Sequence, residues 1–228
     1  MKKFLFIFIF FLLLAITSII VFLSVSGYET DRFNNIIIKE IYKKDQNLKI
    51  DLNKIKIKLD LKKFDLFLST NKPKLTYAGI NLAISNIDVY LDFISLIRSK
   101  PNVSRVIFST NKIKIEEFKK LVVRIKPSNL KSFILNNTNS GEISGKLNLS
   151  FNKDFLLDNY KINGKVQNIN FKINNNEKIN NTSFNFIADD KLILINSISA
   201  NYKDIIIPNG SINVEKKDGY ILDGSIGT

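Results

Sequence analysis

LKIDLNKIKIKLDL, residues 48–61, decides the fold of this chain. Apolar and polar side chains alternate along it with a period of two, the pattern of a strand with one greasy and one wet face. Leu48, Ile50 and Leu52 alternate with Lys49 and Asp51. Ile55, Ile57, Leu59 and Leu61 then alternate with Lys56, Lys58 and Asp60. The apolar parity changes from even to odd across Asn53-Lys54, which predicts a bulge or tight turn there.

Toward the carboxyl end the period of two keeps returning. FDLFL at 64–68 continues the pattern and STNKP at 69–73 breaks it. Strands are predicted at 75–77 and 80–84 around Gly79, from Ile87 to Leu91, and at 103–109 and 112–115. DFISLIRSKP, residues 92–101, reads as a helical turn stopped before Pro101. EEFKKLVVRIKP, residues 116–127, reads as a helix with Phe118, Leu121, Val122 and Ile125 on one face. NNTNSGE at 136–142 is the plausible boundary. Beyond it the chain reads as almost wholly β, with Leu147/Leu149, Ile169/Phe171/Ile173 and further pairs in phase. Short strands with one polar face predict an antiparallel meander.

Toward the amino end the period becomes helical. Residues 30–44, TDRFNNIIIKEIYKK, predict a short amphipathic helix capped by Thr30, with Phe33, Ile36, Ile37 and Ile41 on one face. Before it, residues 4–25, FLFIFIFFLLLAITSIIVFLSV, carry no charge. At about 1.5 Å per residue they reach roughly 33 Å, enough to cross a hydrocarbon core of roughly 30 Å. Lys2 and Lys3 precede the stretch, which by the positive-inside bias keeps the short end cytoplasmic. The alternative is a signal peptide cleaved near Ser24-Val25-Ser26, but the apolar run exceeds the roughly 7–15 residues of a signal core. In both readings residues 28–228 are exported.

Composition excludes much chemistry. The chain has no cysteine, histidine or tryptophan, which removes disulfides and the commonest acid–base group and metal ligand. Walker, GxGxxG, GxSxG and HExxH motifs are absent. Glu116-Glu117 and Asp189-Asp190 are neighbours in sequence, so their side chains diverge on a helix or strand and make poor dyads. No enzyme, cofactor or metal site is expected. The net charge is +13. Of this, +11 lies in residues 28–135, with 22 Lys/Arg against 11 Asp/Glu, and the other two charges are Lys2 and Lys3, while residues 136–228 balance at 10 against 10. A basic half tethered beside a bilayer is drawn to anionic headgroups. The aromatics follow the apolar strand parity and do not interleave with lysines, which argues against nucleic acid.

What remains is the apolar face. The sheet can fold onto itself as a sandwich, or curl into a gutter whose inner face receives acyl chains. A lipid with about 30 methylenes costs on the order of 24 kcal/mol to strand in water, and a greasy trough offsets most of that. Alternation alone does not separate these forms.

The order of elements resembles a known family. An N-terminal membrane helix, the TDRFNNIIIKEI helix and the LKIDLNKIKIKLDL strands come first. PKLTYAG, ISNIDVYLDFISLI and GEISGKLNLSF follow. Together they are similar to the amino-terminal part of AsmA-like proteins, the group that includes TamB. The resemblance implies an inner-membrane anchor, a periplasmic β-groove, and a role in moving phospholipid toward the outer membrane or in outer-membrane assembly. It carries over no catalytic residue. Members usually continue for hundreds of residues, so this chain, ending in strand phase, reads as truncated.

The expected fold is mainly β: an N-terminal transmembrane helix, then a curved antiparallel β-meander forming a U-shaped groove, with two or three short helices. Residues 1–27 are expected to be cytoplasmic tip and anchor, 28–135 a membrane-proximal α/β part of the groove, and 136–228 its all-β continuation. The expected lining is Ile55, Ile57, Leu59, Leu61, Phe64, Leu66 and Leu68, then Leu147, Leu149, Phe171 and Ile173. Expected partners are phospholipid acyl chains, the inner membrane and outer-membrane or envelope proteins. A scaffold that holds other envelope proteins without touching lipid is the alternative.

Overall fold

A computed structural model describes residues 2–32, 34–44, 46–62, 65–91, 102–124, 126–154, 156–174, 176–216 and 219–227. Helix α1 (Lys2–Val25) is apolar on every side, and its phenylalanines and leucines touch no other part of the chain closely enough to be buried. It is long and apolar enough to cross a membrane. The chain leaves it through Gly27, whose φ is +72°. A Cβ there would lie 2.8–2.9 Å from the Lys56 and Lys58 stems and the Ile57 carbonyl, so only glycine passes this point without displacing β-structure.

The helix is followed by strand β1 (Tyr28–Thr30), which alternation did not predict, and then by α2 (Asn34–Lys44). Thr30 is therefore not the cap of α2; it is a buried strand residue whose hydroxyl accepts the Arg32 N–H at 3.3 Å. Phe33 lies outside the described residues. The parity change at Asn53-Lys54 separates two sheets. On one side β2 (Leu48–Asp51) joins β5 (Lys74–Tyr77) and β6 (Ile80–Leu82) in a small sheet of order β2-β5-β6. On the other, β3 (Ile55–Asp60) enters the main sheet. Asn34 of α2 pins the break, its amide donating to the Leu52 and Asn53 carbonyls at 2.9 and 2.6 Å.

The main sheet is antiparallel and open. After β3 come β4 (Asp65–Asn71), β7 (Ile84–Leu91) and β8 (Val103–Thr110), then the short β9 (Ile113–Lys114) and β10 (Thr138–Asn139). Its far half holds β11 (Glu142–Phe151), β12 (Leu157–Lys172), β13 (Lys178–Ala188) and β14 (Leu192–Tyr202), with β15 (Ile205–Ile207), β16 (Asn209–Lys216) and β17 (Tyr220–Gly227). The order β1-β3-β4-β7-β8-β11-β12-β13-β14-β16-β17 makes the path, and β9, β10 and β15 pair beside it to give 14 strands. The expected helical turn at 92–101 lies outside the described residues. The sheet runs through 136–142 without a break, since β8 pairs directly with β11.

Two helices cover one end of the apolar side. α3 (Ile115–Val122) stops sooner than the expected 127, its last turn held by the Lys131 ammonium on the Val123 carbonyl at 2.7 Å. α4 (Asn129–Asn137) was not predicted; Ser128 caps it, its hydroxyl accepting the Lys131 N–H. Lys119 of α3 closes α4 by donating to the Leu135 carbonyl at 2.9 Å and to that of Thr138. Beneath them Ile115, Val166 and Ile169 are buried, with Phe118, Ile143, Phe171, Phe184 and Phe186 packed against them. Phe186 lies over Gly164, where a Cβ would come within 2.3 Å of its ring.

A line of bulges crosses the long strands. Asn168, Asn181 and Ser197 have φ of 52°, 51° and 53°, and the β12–β13 and β13–β14 registers shift beside them. Such bulges bend a strand and raise its twist. Two of the displaced N–H groups are satisfied by side chains: Ser183 Oγ accepts from Asn168 at 3.0 Å and Asn170 Oδ1 from Asn181 at 2.9 Å. Asparagine tolerates this left-handed conformation far better than β-branched residues do. Asn168→Val is therefore expected to lose about 1–2 kcal/mol, and Asn168→Gly almost nothing, in urea unfolding of the full chain in detergent.

Candidate functional site

Because β-strand side chains alternate and the pairing is in register, same-parity residues on neighbouring strands share a face. Ile57, Leu68, Val89, Val106 and Leu149 form one row across β3, β4, β7, β8 and β11. A second row begins at Ile55, Thr70 and Ile87. It passes through Phe108, Leu147, Ile162, Ala188, Ile193 and Val214 to Leu222. With about 4.8 Å between neighbouring strands, this apolar face extends roughly 43 Å from β3 to β17.

The face is buried at one end and half-buried over its middle. Ile55 is wholly buried at 0 % exposure, and Ile87 and Thr70 beside it are buried as well. Toward the far end of the β3–β4 pair, Ile57, Leu59, Leu66, Leu68, Val89 and Val106 are only half-buried, as are Leu147 and Leu149. The opposite face is also half-buried at these strands. Among the described residues, burial alone therefore does not distinguish the two faces at these strands.

The expected lining residues fall into distinct places. Ile57, Leu59, Leu66, Leu68, Leu147 and Leu149 share the open apolar face. Ile55 shares the parity but is fully enclosed, so it serves as core. Leu61 lies one residue past β3 in a turn, 44 % exposed, and Ile173 one residue past β12, 51 % exposed. Both continue an alternation that outlasts the strand. Phe171 keeps the parity but is covered by α4, its ring stacked on Phe133 at 5.8 Å. Phe64 lies outside the described residues.

The polar face holds a cluster that alternation did not single out. Phe67 and Tyr90 stack at 4.9 Å, the Arg105 guanidinium sits 3.9 Å over the Tyr90 ring, and Arg105 pairs with Asp65 at 3.7 Å. Burial, then Asp88, pushes the Tyr90 phenol above its ordinary range, with Arg105 pulling the other way. The cluster spans β4, β7 and β8 and fixes them from behind the open rows. Its signal in the sequence was Arg105 itself, one of four arginines in a lysine-rich chain, and the residue type that stacks on rings.

No group of three or more acidic or metal-ligating side chains that could hold a metal occurs among the described residues. A shallow cleft of about 540 Å³ lies between β14, β16 and β17, lined mainly by Asn196, Ser197, Asn209, Ser211 and Ser225. It sits away from the open apolar rows. Comparison with protein-family models, curated proteins and solved structures found no match to this chain.

The two environments on one face make opposite forecasts. Ile55→Glu buries a lone carboxylate and is expected to unfold the chain, whereas Leu149→Glu, at a half-buried position, is expected to lower the thermal midpoint much less and to leave the chain folded. Ile55→Ala is expected to cost about 2–4 kcal/mol. Circular dichroism melts of the variants in detergent check both.

Proposed function

We propose that this chain is a membrane-anchored, non-enzymatic groove that receives phospholipid acyl chains. On this reading it contributes to moving phospholipid toward an outer membrane, or to assembling that membrane. The observation that carries the reading is the apolar face, continuous in register from β3 to β17 and only half-buried over its middle. Such a face left bare is costly: each methylene removed from water contributes about 0.8 kcal/mol. An acyl chain laid along the rows of Leu68, Val106 and Leu149 satisfies the face and the lipid together, while the headgroup stays wet.

The resemblance to AsmA-like proteins supports the same function and adds a setting: inner membrane, with the amino terminus cytoplasmic and the sheet periplasmic. The helix α1 fits the anchor by length and composition. A second reading, an envelope scaffold, is favoured by one observation. β17 pairs only with β16 among the described residues and exposes Tyr220, Leu222 (71 %) and Ile226, which makes it a template for another strand.

Photo-crosslinking amino acids at Leu59 and Leu149 in cells separate the two. A groove gives phospholipid adducts at both positions. Protein adducts alone at both positions would overturn it in favour of the scaffold.

A further inference from the structure

The passage from α1 into the sheet determines which end of the strands meets the bilayer. β1 is antiparallel to β3, with Tyr28 opposite Ile57 and Thr30 opposite Ile55. Moving back along β1 toward α1 is therefore moving forward along β3, toward Asp60, Leu61 and Lys62. Contact agrees with register: α1 packs against β3, and Gly27 passes directly over the Lys56 and Lys58 stems. From Ile57 to Asp60 is about 10 Å of strand at ~3.3 Å per residue, and Leu61 follows in the turn. The headgroup layer beside the hydrocarbon is only about 5–8 Å thick. The end of β3 thus reaches the level at which α1 emerges from the membrane.

The side chains at that level suit an interface. Tyr28 is 51 % exposed three residues beyond α1, where aromatic residues anchor spans at the headgroups. Leu61 is an aliphatic group left exposed on a turn. Lys62 is exposed beside it and Lys58 half-buried. The facing acids are Glu29, paired with Lys56 at 3.1 Å, and Asp65, paired with Arg105 at 3.7 Å. Asp60 stands between the two lysines and accepts the Lys62 N–H at 2.9 Å.

We propose that Tyr28, Lys58, Leu61 and Lys62 form a membrane seat on the bilayer that α1 crosses. Tyr28 and Leu61 enter the interfacial layer, and the two ammonium groups reach the phosphates of anionic phospholipid headgroups, their stems lying along apolar surface. The open row that starts at Leu59 and Leu66 begins at this seat, so a lipid leaving the bilayer meets the apolar face there. The seat rests on α1 as a membrane span and on the groove reading only for its use as an entrance.

With no cysteine in the chain, Leu61→Cys gives a single labelling site on the full protein. An environment-sensitive fluorophore is placed there, and on Tyr220→Cys at the far edge of the sheet for comparison. The protein is reconstituted in vesicles of phosphatidylcholine and phosphatidylglycerol. Expected are blue-shifted emission from the label at position 61, quenched by lipids labelled at the headgroup, and water-like emission from the label at position 220. Quencher on phosphatidylglycerol should act more strongly than quencher on phosphatidylcholine, and Lys58→Gln and Lys62→Gln should each reduce that preference about fivefold at most. Water-like emission from position 61 overturns the seat. Equal quenching by the two lipids overturns the lysine–phosphate contact. Flotation of the protein with vesicles reports the span separately, and crosslinking at Leu149 reports the groove, so failure of the seat is distinguishable from failure of either.

Discussion

Cross-strand register is the constraint on which this structure depends. A one-residue slip between two strands would move every leucine and isoleucine of one of them to the opposite face. From β3 to β16 the ladders instead hold Ile57, Leu68, Val89, Val106 and Leu149 in one row and Phe108, Leu147, Ile162, Ala188, Ile193 and Val214 in another. Where register does shift, in β12 to β14, polar residues with left-handed backbone absorb the extra residue, and the apolar parity resumes on the same side.

Given one apolar face, the question is what covers it. At the β11–β13 end, α3, α4 and five partly buried aromatic and aliphatic groups do so, and the core there is conventional. Near Ile55, Thr70 and Ile87 the side chains are also buried. Between these lies the half-buried region, backed on its polar side by the Phe67–Tyr90–Arg105 stack. The two closed ends supply stability, and the stack keeps the strands between them aligned. A stable sheet can thereby leave part of its apolar surface only half-buried.

Much of this was legible in the sequence. The alternation in 55–61 coincides with β3 over Ile55–Asp60, and the uncharged run of 4–25 lies within α1. The same alternation overreached at Leu61 and Ile173, because it continues past the last paired residue and sequence carries no mark for where pairing stops. β1 was invisible: three residues have no period, and Tyr28–Thr30 is a strand only because β3 pairs with it. α4 escaped because its apolar residues span barely two turns; Ser128 after Pro127 was the available signal. The cover that α4 places on Phe171 is tertiary and left no local trace. The bulge at Asn168 did leave one, since apolar parity passes from Ile162 and Val166 to Ile169 and Phe171.

Thiol reactivity tests the open face most directly. Ile55→Cys and Leu149→Cys, each made singly in the full, delipidated chain, are exposed to a water-soluble maleimide before and after phospholipid is supplied. The thiol at position 149 is expected to react rapidly and to be protected by phospholipid, while the thiol at position 55 stays unreactive throughout. A thiol at position 149 as slow as the one at position 55, or one whose rate ignores lipid, would contradict the open groove.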